Sequence, residues 1–381
     1  MNKITVLFVS DSDDKYGAPR ALIELINVLK RDYNIAPIVL TSSYSRINTE
    51  CQKLGIKNYV TYHRSYMINN YDRSLKESLK NCIRLLRYVI CRYLSVLVAE
   101  YKIEFNNVYL IHSNSNRCDL GAILAKRHNI KHIMHLREES SGCKPFFNKQ
   151  LQSVDMLVDS YIAISNKVKI GWSSIGINSK KISVVYDGID IHDIVPKSYY
   201  SINTIFKIVM VGSLSKNKGQ EIVIRAINCL PNDIKNKISL SFYGDGEYKK
   251  DLVRLVNEFC LKNVYFKGYC ENIKSELNKY DCGISASDKE GFGRTTVEYM
   301  AAGLPVLGAN SGATPEIISS GINGFLFNRN DYVELSEKIA MLFNNQLLRK
   351  KIGEMGKKTV NSLYTTELNG KGVFSVYKNY I

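Results

Sequence analysis

Residues 281–316, DCGISASDKEGFGRTTVEYMAAGLPVLGANSGATPE, constrain the fold of this chain more than any other stretch. The apolar run 282–286 reads as a buried strand, 287–294 as a glycine-bearing loop, 295–302 as a helix and 304–308 as the next strand. That order requires a parallel sheet, because a helix must carry the chain back to the edge where the first strand began. Such a helix opens at the carboxyl edge of the sheet, where free N–H groups and the helix dipole attract an anion. Gly291, Phe292 and Gly293 let a phosphate come close to the main chain, and Arg294 follows directly. Glu290 starts the loop and Glu298 lies eight residues on, about 12 Å further if all the intervening residues were helical. Carboxylates so spaced can hold opposite ends of one elongated ligand. Taken alone, such a pair reads first as an exposed helix face.

The surrounding residues separate the two readings. Glu290, Phe292, Gly293, Glu298, Met300, Ala301, Gly303, Pro305, Val306, Gly312, Pro315, Glu316, Gly321, Asn323 and Gly324 fall on one pattern. It consists of a Glu, seven residues, a second Glu, a small-residue run and a Gly-x-Pro-Val strand. On these residues the chain resembles the GT4 family of retaining GT-B glycosyltransferases, the glycosyltransferase group 1 family. The resemblance implies an α/β fold of two Rossmann-like doubly wound domains facing a central cleft. Residues 1–190 would form an N-terminal acceptor-binding domain and 205–361 a C-terminal domain for the nucleotide-sugar donor, with 362–381 packing back on the first. It further implies transfer from a UDP- or GDP-sugar, UDP favoured, to a saccharide or lipid-linked saccharide in surface polysaccharide biosynthesis.

Taken in order, residues 4–10 read as a strand covered on both faces, followed by the loop DSDDKYGAPR and an amphipathic helix over 18–30. Relatives carry Gly-Gly before this helix, where backbone N–H groups approach the donor; here the pair is Tyr16-Gly17, so only Gly17 carries over. An ordinary turn glycine is the competing reading. Further alternation covers 37–40, 45–54 and 58–61. Segment 64–102 then carries Arg64, Arg73, Lys76, Lys80, Arg84, Arg87, Arg92 and Lys102 against Asp72, Glu77 and Glu100. Its uncharged stretch 93–99 is far shorter than the roughly 20 residues a membrane span needs. Two readings fit: a basic amphipathic helix lying on an anionic membrane, or a core helix with a solvated basic face.

Strands at 108–113 and 131–136 flank a helix at 117–128. The second strand ends in His135-Leu136-Arg137-Glu138, a polar cluster at a carboxyl edge where ligands bind. The resemblance places His135 beside the donor sugar, shaping its electrostatics without acting as a base. His112 reads as a structural histidine, and Arg137 and Glu138 as facing the acceptor. Strands at 160–165 and 182–186 precede a linker at 187–204, where Asp187-Gly188-Ile189-Asp190 matches the relatives' Asn-Gly-Val/Ile-Asp.

The second sheet begins at Phe206. A strand ending at Gly212 and a helix starting near Gly219 make a phosphate site in their own right, with Lys218 as a point charge for a diphosphate. Relatives have an Arg after that first Gly; Ser213 stands here, leaving Arg294 or Lys216 as candidate substitutes. Strands at 240–243 and 264–268 follow. By resemblance the loop after the latter, beginning with Tyr269, lies against the nucleobase. Helices at 332–344 and 347–360 close the domain.

Length suits two domains. The formal charge of +16 favours an anionic partner. Nine cysteines without a Cys-x-x-Cys pair read as reduced thiols of a cytoplasmic protein, and the N-terminus does not resemble a signal peptide. The cytoplasmic face of the membrane is the matching location if 64–102 binds lipid. No Asp-x-Asp occurs in a suitable loop, so neither a metal nor any other cofactor is expected. Charge developing on the leaving diphosphate would be met by Lys218 and the loop amides, Glu290 would contact sugar hydroxyls and Glu298 the ribose. Three alternatives remain. A hydrolase would use the two glutamates, for neither of which the sequence offers an evident partner. An epimerase would share the architecture. A nucleic-acid-binding module would fit the charge, although no motif of that class is present.

Overall fold

The computed structural model describes residues 3–11, 17–69, 75–140, 143–145, 149–197 and 205–381. Tyr16, Asp72, Arg73 and the linker end at 198–204 lie outside the described residues, as do the side chains of Lys76 and Glu77. The chain divides into two units, Met1–Gly188 with Thr366–Ile381, and Ile189–Thr365.

The first unit runs β1 (Ile4–Ser10), α1 (Gly17–Asp32), β2 (Ile35–Thr41), α2 (Arg46–Lys53), β3 (Lys57–Val60), β4 (Met67–Asn69), α3 (Leu75–Lys102), β5 (Leu110–Ser113), α4 (Leu120–His128), β6 (Lys131–Leu136), β7 (Cys143–Pro145), α5 (Gln150–Asp155), β8 (Ser160–Ala163), α6 (Asn166–Ser174) and β9 (Ile182–Val184). Seven strands form a parallel sheet in the order β3-β2-β1-β5-β6-β8-β9, while β4 and β7 pair separately as an antiparallel ribbon. The strand order reverses between β1 and β5, and there ligands meet open α/β sheets. Alternate residues of β1 serve opposite faces. Val6 and Phe8 pack with Leu22, Leu25, Ile26 and Leu29 of α1, whereas Leu7 and Val9 pack with Val96 and Ala99 of α3 and with Leu120 and Leu124 of α4.

Two of the boundaries that differ from the sequence pattern have local causes. β5 starts at Leu110 and not at 108, because the Val108 N–H bonds back to the Phe105 carbonyl and closes a short 3-10 turn. α4 starts at Leu120, since Asp119 stands at its N-cap position and its carboxylate accepts from the Tyr88 hydroxyl at 2.5 Å. Among the described residues of the basic segment 64–102, Leu75–Lys102 is helical. The eight cysteines with described side chains are free thiols.

The second unit runs β10 (Phe206–Val211), α7 (Gln220–Cys229), α8 (Asn232–Lys235), β11 (Ile238–Tyr243), α9 (Lys249–Glu258), β12 (Val264–Gly268), α10 (Ile273–Glu276), β13 (Cys282–Ser285), α11 (Arg294–Ala301), β14 (Val306–Ala309), α12 (Thr314–Ile317), β15 (Phe325–Phe327), α13 (Tyr332–Asn344) and α14 (Gln346–Leu363). Its parallel sheet has the order β12-β11-β10-β13-β14-β15, reversing between β10 and β13. Ile208, Leu240, Phe242, Cys282 and Ile284 build its core with Val223, Ile224 and Ile227 of α7. After α14 the chain returns to the first unit as α15 (Thr366–Tyr377), whose Val373, Val376 and Tyr377 join the core beside α1.

Candidate functional site

In the second unit the loops after β10 and β13, the two strands at the reversal, are brought together. Lys218 follows β10 and Glu290 follows β13, and Lys218 Nζ donates to Glu290 Oε2 at 2.9 Å. The two side chains are 32% and 20% exposed, so the pair stays open to a ligand. Glu290 therefore does have a partner, 72 residues away, which its local sequence could not reveal. An ammonium has three donors and a carboxylate about four acceptor positions. The contact uses one of each and leaves the remainder free of one another.

Backbone contacts fix this geometry. The Asp288 N–H donates to the Asn217 carbonyl at 2.9 Å, tying one loop to the other, and the Ala313 N–H donates to the Glu290 carbonyl at 2.9 Å. Gly219, at φ 76°, ends the first loop, and a Cβ there would stand 2.3 Å from the Ala286 carbonyl oxygen. Gly312, at φ 59°, lies so close that a Cβ would meet the Glu290 nitrogen and oxygen at 2.6 Å. Any other residue at either place would push the loops apart.

Helix α11 opens at Arg294, one residue earlier than the pattern indicates, directly after Gly293. Phe292 is 3% exposed and packs edge-on against Tyr364, their rings 5.6 Å apart. Thus Phe292 anchors the loop through its side chain. Glu298 lies in the second turn of α11 and is 6% exposed. Tyr299 seats the helix on the sheet by accepting the Val211 N–H at 2.7 Å. Tyr269 follows the edge strand β12 and is 74% exposed, two strand spacings, about 10 Å, from β10. Lys216 lies over the Tyr248 ring, 5.7 Å from its centroid. Glu290 is engaged by Lys218, and Glu298 is buried in its helix.

In the first unit Gly17 is the exposed first residue of α1. His135, near the end of β6, is fully buried. Its Nδ1 meets His112 Nε2 at 2.9 Å, and its Nε2 has no partner among the described residues. Burial, reinforced by the Arg137 charge, holds His135 well below the ordinary imidazole range and brings His112 down to about 3. Both rings are neutral at pH 7. Arg137 does not face an acceptor as expected: its side chain is 3% exposed. Nε donates to Asn114 Oδ1 at 2.8 Å, and Nη1 donates to both oxygens of Asp187 at 2.8 and 2.9 Å. A charge taken out of water needs this pairing, and it explains why an Asp stands at the head of the linker. Glu138 is more open and lies 3.6 Å from Arg117 Nη1.

Two units, each with a parallel sheet and polar side chains at its strand reversal, are the architecture of the GT-B fold. Residues 197–359 match the family model for glycosyl transferases group 1, so the second unit is a group 1 glycosyl transferase domain and the chain a glycosyltransferase. An uncharacterised glycosyltransferase of Methanocaldococcus jannaschii is 28% identical over 341 residues, covering 85% of this chain and 90% of the relative. The capsular polysaccharide biosynthesis glycosyltransferase CapM of Staphylococcus aureus is 26% identical over 230 residues, 59% of each chain. Among solved structures, Anabaena HepE in complex with UDP and glucose superposes with a TM-score of 0.79 at 20% identity, over 98% of this chain and 99% of HepE. At that identity the likeness shows the fold alone.

Proposed function

We propose that this glycosyltransferase moves a sugar from a nucleoside diphosphate sugar, a UDP-sugar in preference to a GDP-sugar, with retention at the anomeric carbon. The acceptor is a saccharide or lipid-linked saccharide in surface polysaccharide biosynthesis. The observation that carries this is the open Lys218–Glu290 pair at the strand reversal of the group 1 domain. Lys218 keeps two N–H donors for the diphosphate, whose charge grows as the glycosidic bond breaks, and the amides of Gly291, Phe292 and Gly293 add to it. Arg294 supplies the cation that Ser213 lacks. Glu290, steadied by Lys218, accepts from sugar hydroxyls; Glu298 accepts from the ribose, and Tyr269 lies beside the base. In the first unit Gly17 and His135 serve the sugar side. UDP is favoured because HepE was solved with UDP, and the polysaccharide setting because CapM bears that name. Turnover independent of metal is part of the proposal, the diphosphate charge being met by protein cations; full activity in EDTA is the expected result, and loss restored by a divalent ion would contradict it. A panel of nucleotide sugars scored for product formed only with acceptor present tests the transfer itself. Product without acceptor would point to an epimerase or hydrolase.

We further propose that the chain works at the cytoplasmic face of a membrane, peripherally. Among the described residues no helix is long and apolar enough to cross a bilayer. Helix α3, however, exposes Ile83, Leu86, Ile90, Tyr93, Leu94 and Leu97 on the side opposite its buried Tyr88, Ser95 and Ala99, with Lys80, Arg84 and Arg87 along one edge. An apolar face bordered by cations fits an anionic lipid surface. Co-sedimentation with vesicles containing phosphatidylglycerol, but not with phosphatidylcholine alone, is expected; the triple change Leu86→Ser, Ile90→Ser, Leu97→Ser abolishes it. Equal recovery on both vesicles, or a stable dimer lost in the same variant, would overturn the membrane reading.

A further inference from the structure

Three side chains far apart in sequence form one buried line in the first unit. Tyr377 Oη lies 2.5 Å from His112 Nδ1, and His112 Nε2 lies 2.9 Å from His135 Nδ1. All three residues are fully buried, and among the described residues His135 Nε2 ends the line without a partner. Both imidazoles are neutral, so each carries a single N–H.

Only two proton arrangements satisfy both contacts. In one, the Tyr377 hydroxyl donates to His112 Nδ1, the His112 Nε2–H donates to His135 Nδ1, and His135 carries its proton on Nε2. A single group, that Nε2–H, is then left unpaired. In the other, His135 Nδ1–H donates to His112 Nε2 and His112 Nδ1–H donates to the Tyr377 oxygen. That leaves two groups unpaired, the phenol proton and His135 Nε2. A buried polar group without a partner forfeits its hydration, so the first arrangement is favoured by one such group.

We infer that Tyr377 and His112 are positioning residues that hold His135 as the Nε2–H tautomer, making it a hydrogen-bond donor to the sugar. This rests on the proposed contact of His135 with the donor sugar. Helix α15 thereby shapes the chemistry at the end of β6, although nothing in its sequence marks it as part of a site.

The test uses the full-length chain labelled with 15N in histidine, with long-range nitrogen–proton correlations assigned by single His→Gln variants. Protonation of His135 and His112 at Nε2 is expected; a proton on His135 Nδ1 overturns the inference. In Tyr377→Phe the constraint is gone and both tautomers of His112 are expected, with unchanged tautomers counting against it. Turnover of Tyr377→Phe falls about tenfold at unchanged donor KM, the worth of one hydrogen bond. In a His135→Gln background, where the amide supplies its own donor near the Nε2 position, the same change costs nothing further; an equal fall in both backgrounds would mean a packing defect and overturns the inference. Should Tyr377→Phe not fold, the wild-type spectrum alone decides. Full turnover in His135→Ala would instead remove the sugar contact assumed under the proposed function, and the spectrum separates that failure from this one.

Discussion

Two ion pairs, one in each unit, are held in opposite ways. In the second, Lys218 and Glu290 meet at an open strand reversal, 32% and 20% exposed, positioned by backbone contacts that neither side chain makes. In the first, Arg137 and Asp187 are 3% and 5% exposed and are bound into the structure by their own hydrogen bonds. The first unit also contains five of the six histidines, of which His63, His112, His132 and His135 are buried. One pair presents charge, and the other hides it. The lesson is that an ion pair's exposure tells whether its loss should be read in turnover or in folding.

Cutting the buried pair should therefore have the largest effect on stability. Asp187→Ala strands the Arg137 charge and is expected to cost about 3–5 kcal/mol in urea unfolding; a loss below about 1 kcal/mol would erase the contrast between the units. Cutting the open pair should act on turnover. Lys218→Glu is expected to lower kcat by about 10³-fold while the melting temperature of the free protein hardly moves, and a large stability loss there would break the comparison from the other side. Smaller is Glu298→Ala, which removes hydrogen bonds to a charged acceptor and should weaken UDP binding by roughly 10- to 100-fold in a calorimetric titration. Unaltered affinity would mean that Glu298 is only a helix residue.

Acid sharpens the comparison further. The folded state holds His63 near 4 and His112 and His132 near 3, through burial, against about 6.5 in the unfolded chain. Between those values the unfolded chain binds protons that the folded one does not, so stability is lost as pH falls below about 6.5. The slope approaches about 1.4 kcal/mol per pH unit for each histidine. Amide exchange should show the first unit opening before the second as pH falls from 7 to 5. Simultaneous opening would mean that histidine burial is not what separates them.

The local chemistry of the second unit was legible because its determinants are close in sequence. Glu290, Gly291, Gly293 and Glu298 lie within nine residues, and Gly219 marks a helix start at the strand reversal. What joins such segments was not legible. Lys218 reaches Glu290 across 72 positions, Arg137 reaches Asp187 across 50 and Tyr377 reaches His112 across 265. Arg137 in particular reads as a ligand-facing cation in sequence, since a strand-end arginine looks the same whether solvent or a distant carboxylate receives it. The sheet order supplies the missing information, by setting β10 beside β13 and β5 beside β6.

The central claim is that the strand reversal of the second unit grips a nucleoside diphosphate through Lys218. Its most direct measurement is the shift in unfolding free energy that UDP produces in the full-length wild type and in Lys218→Glu. At 100 times its dissociation constant UDP should stabilise the wild type by about 2.7 kcal/mol, and at the same concentration it should leave the variant unshifted. An equal shift in both proteins would contradict the claim.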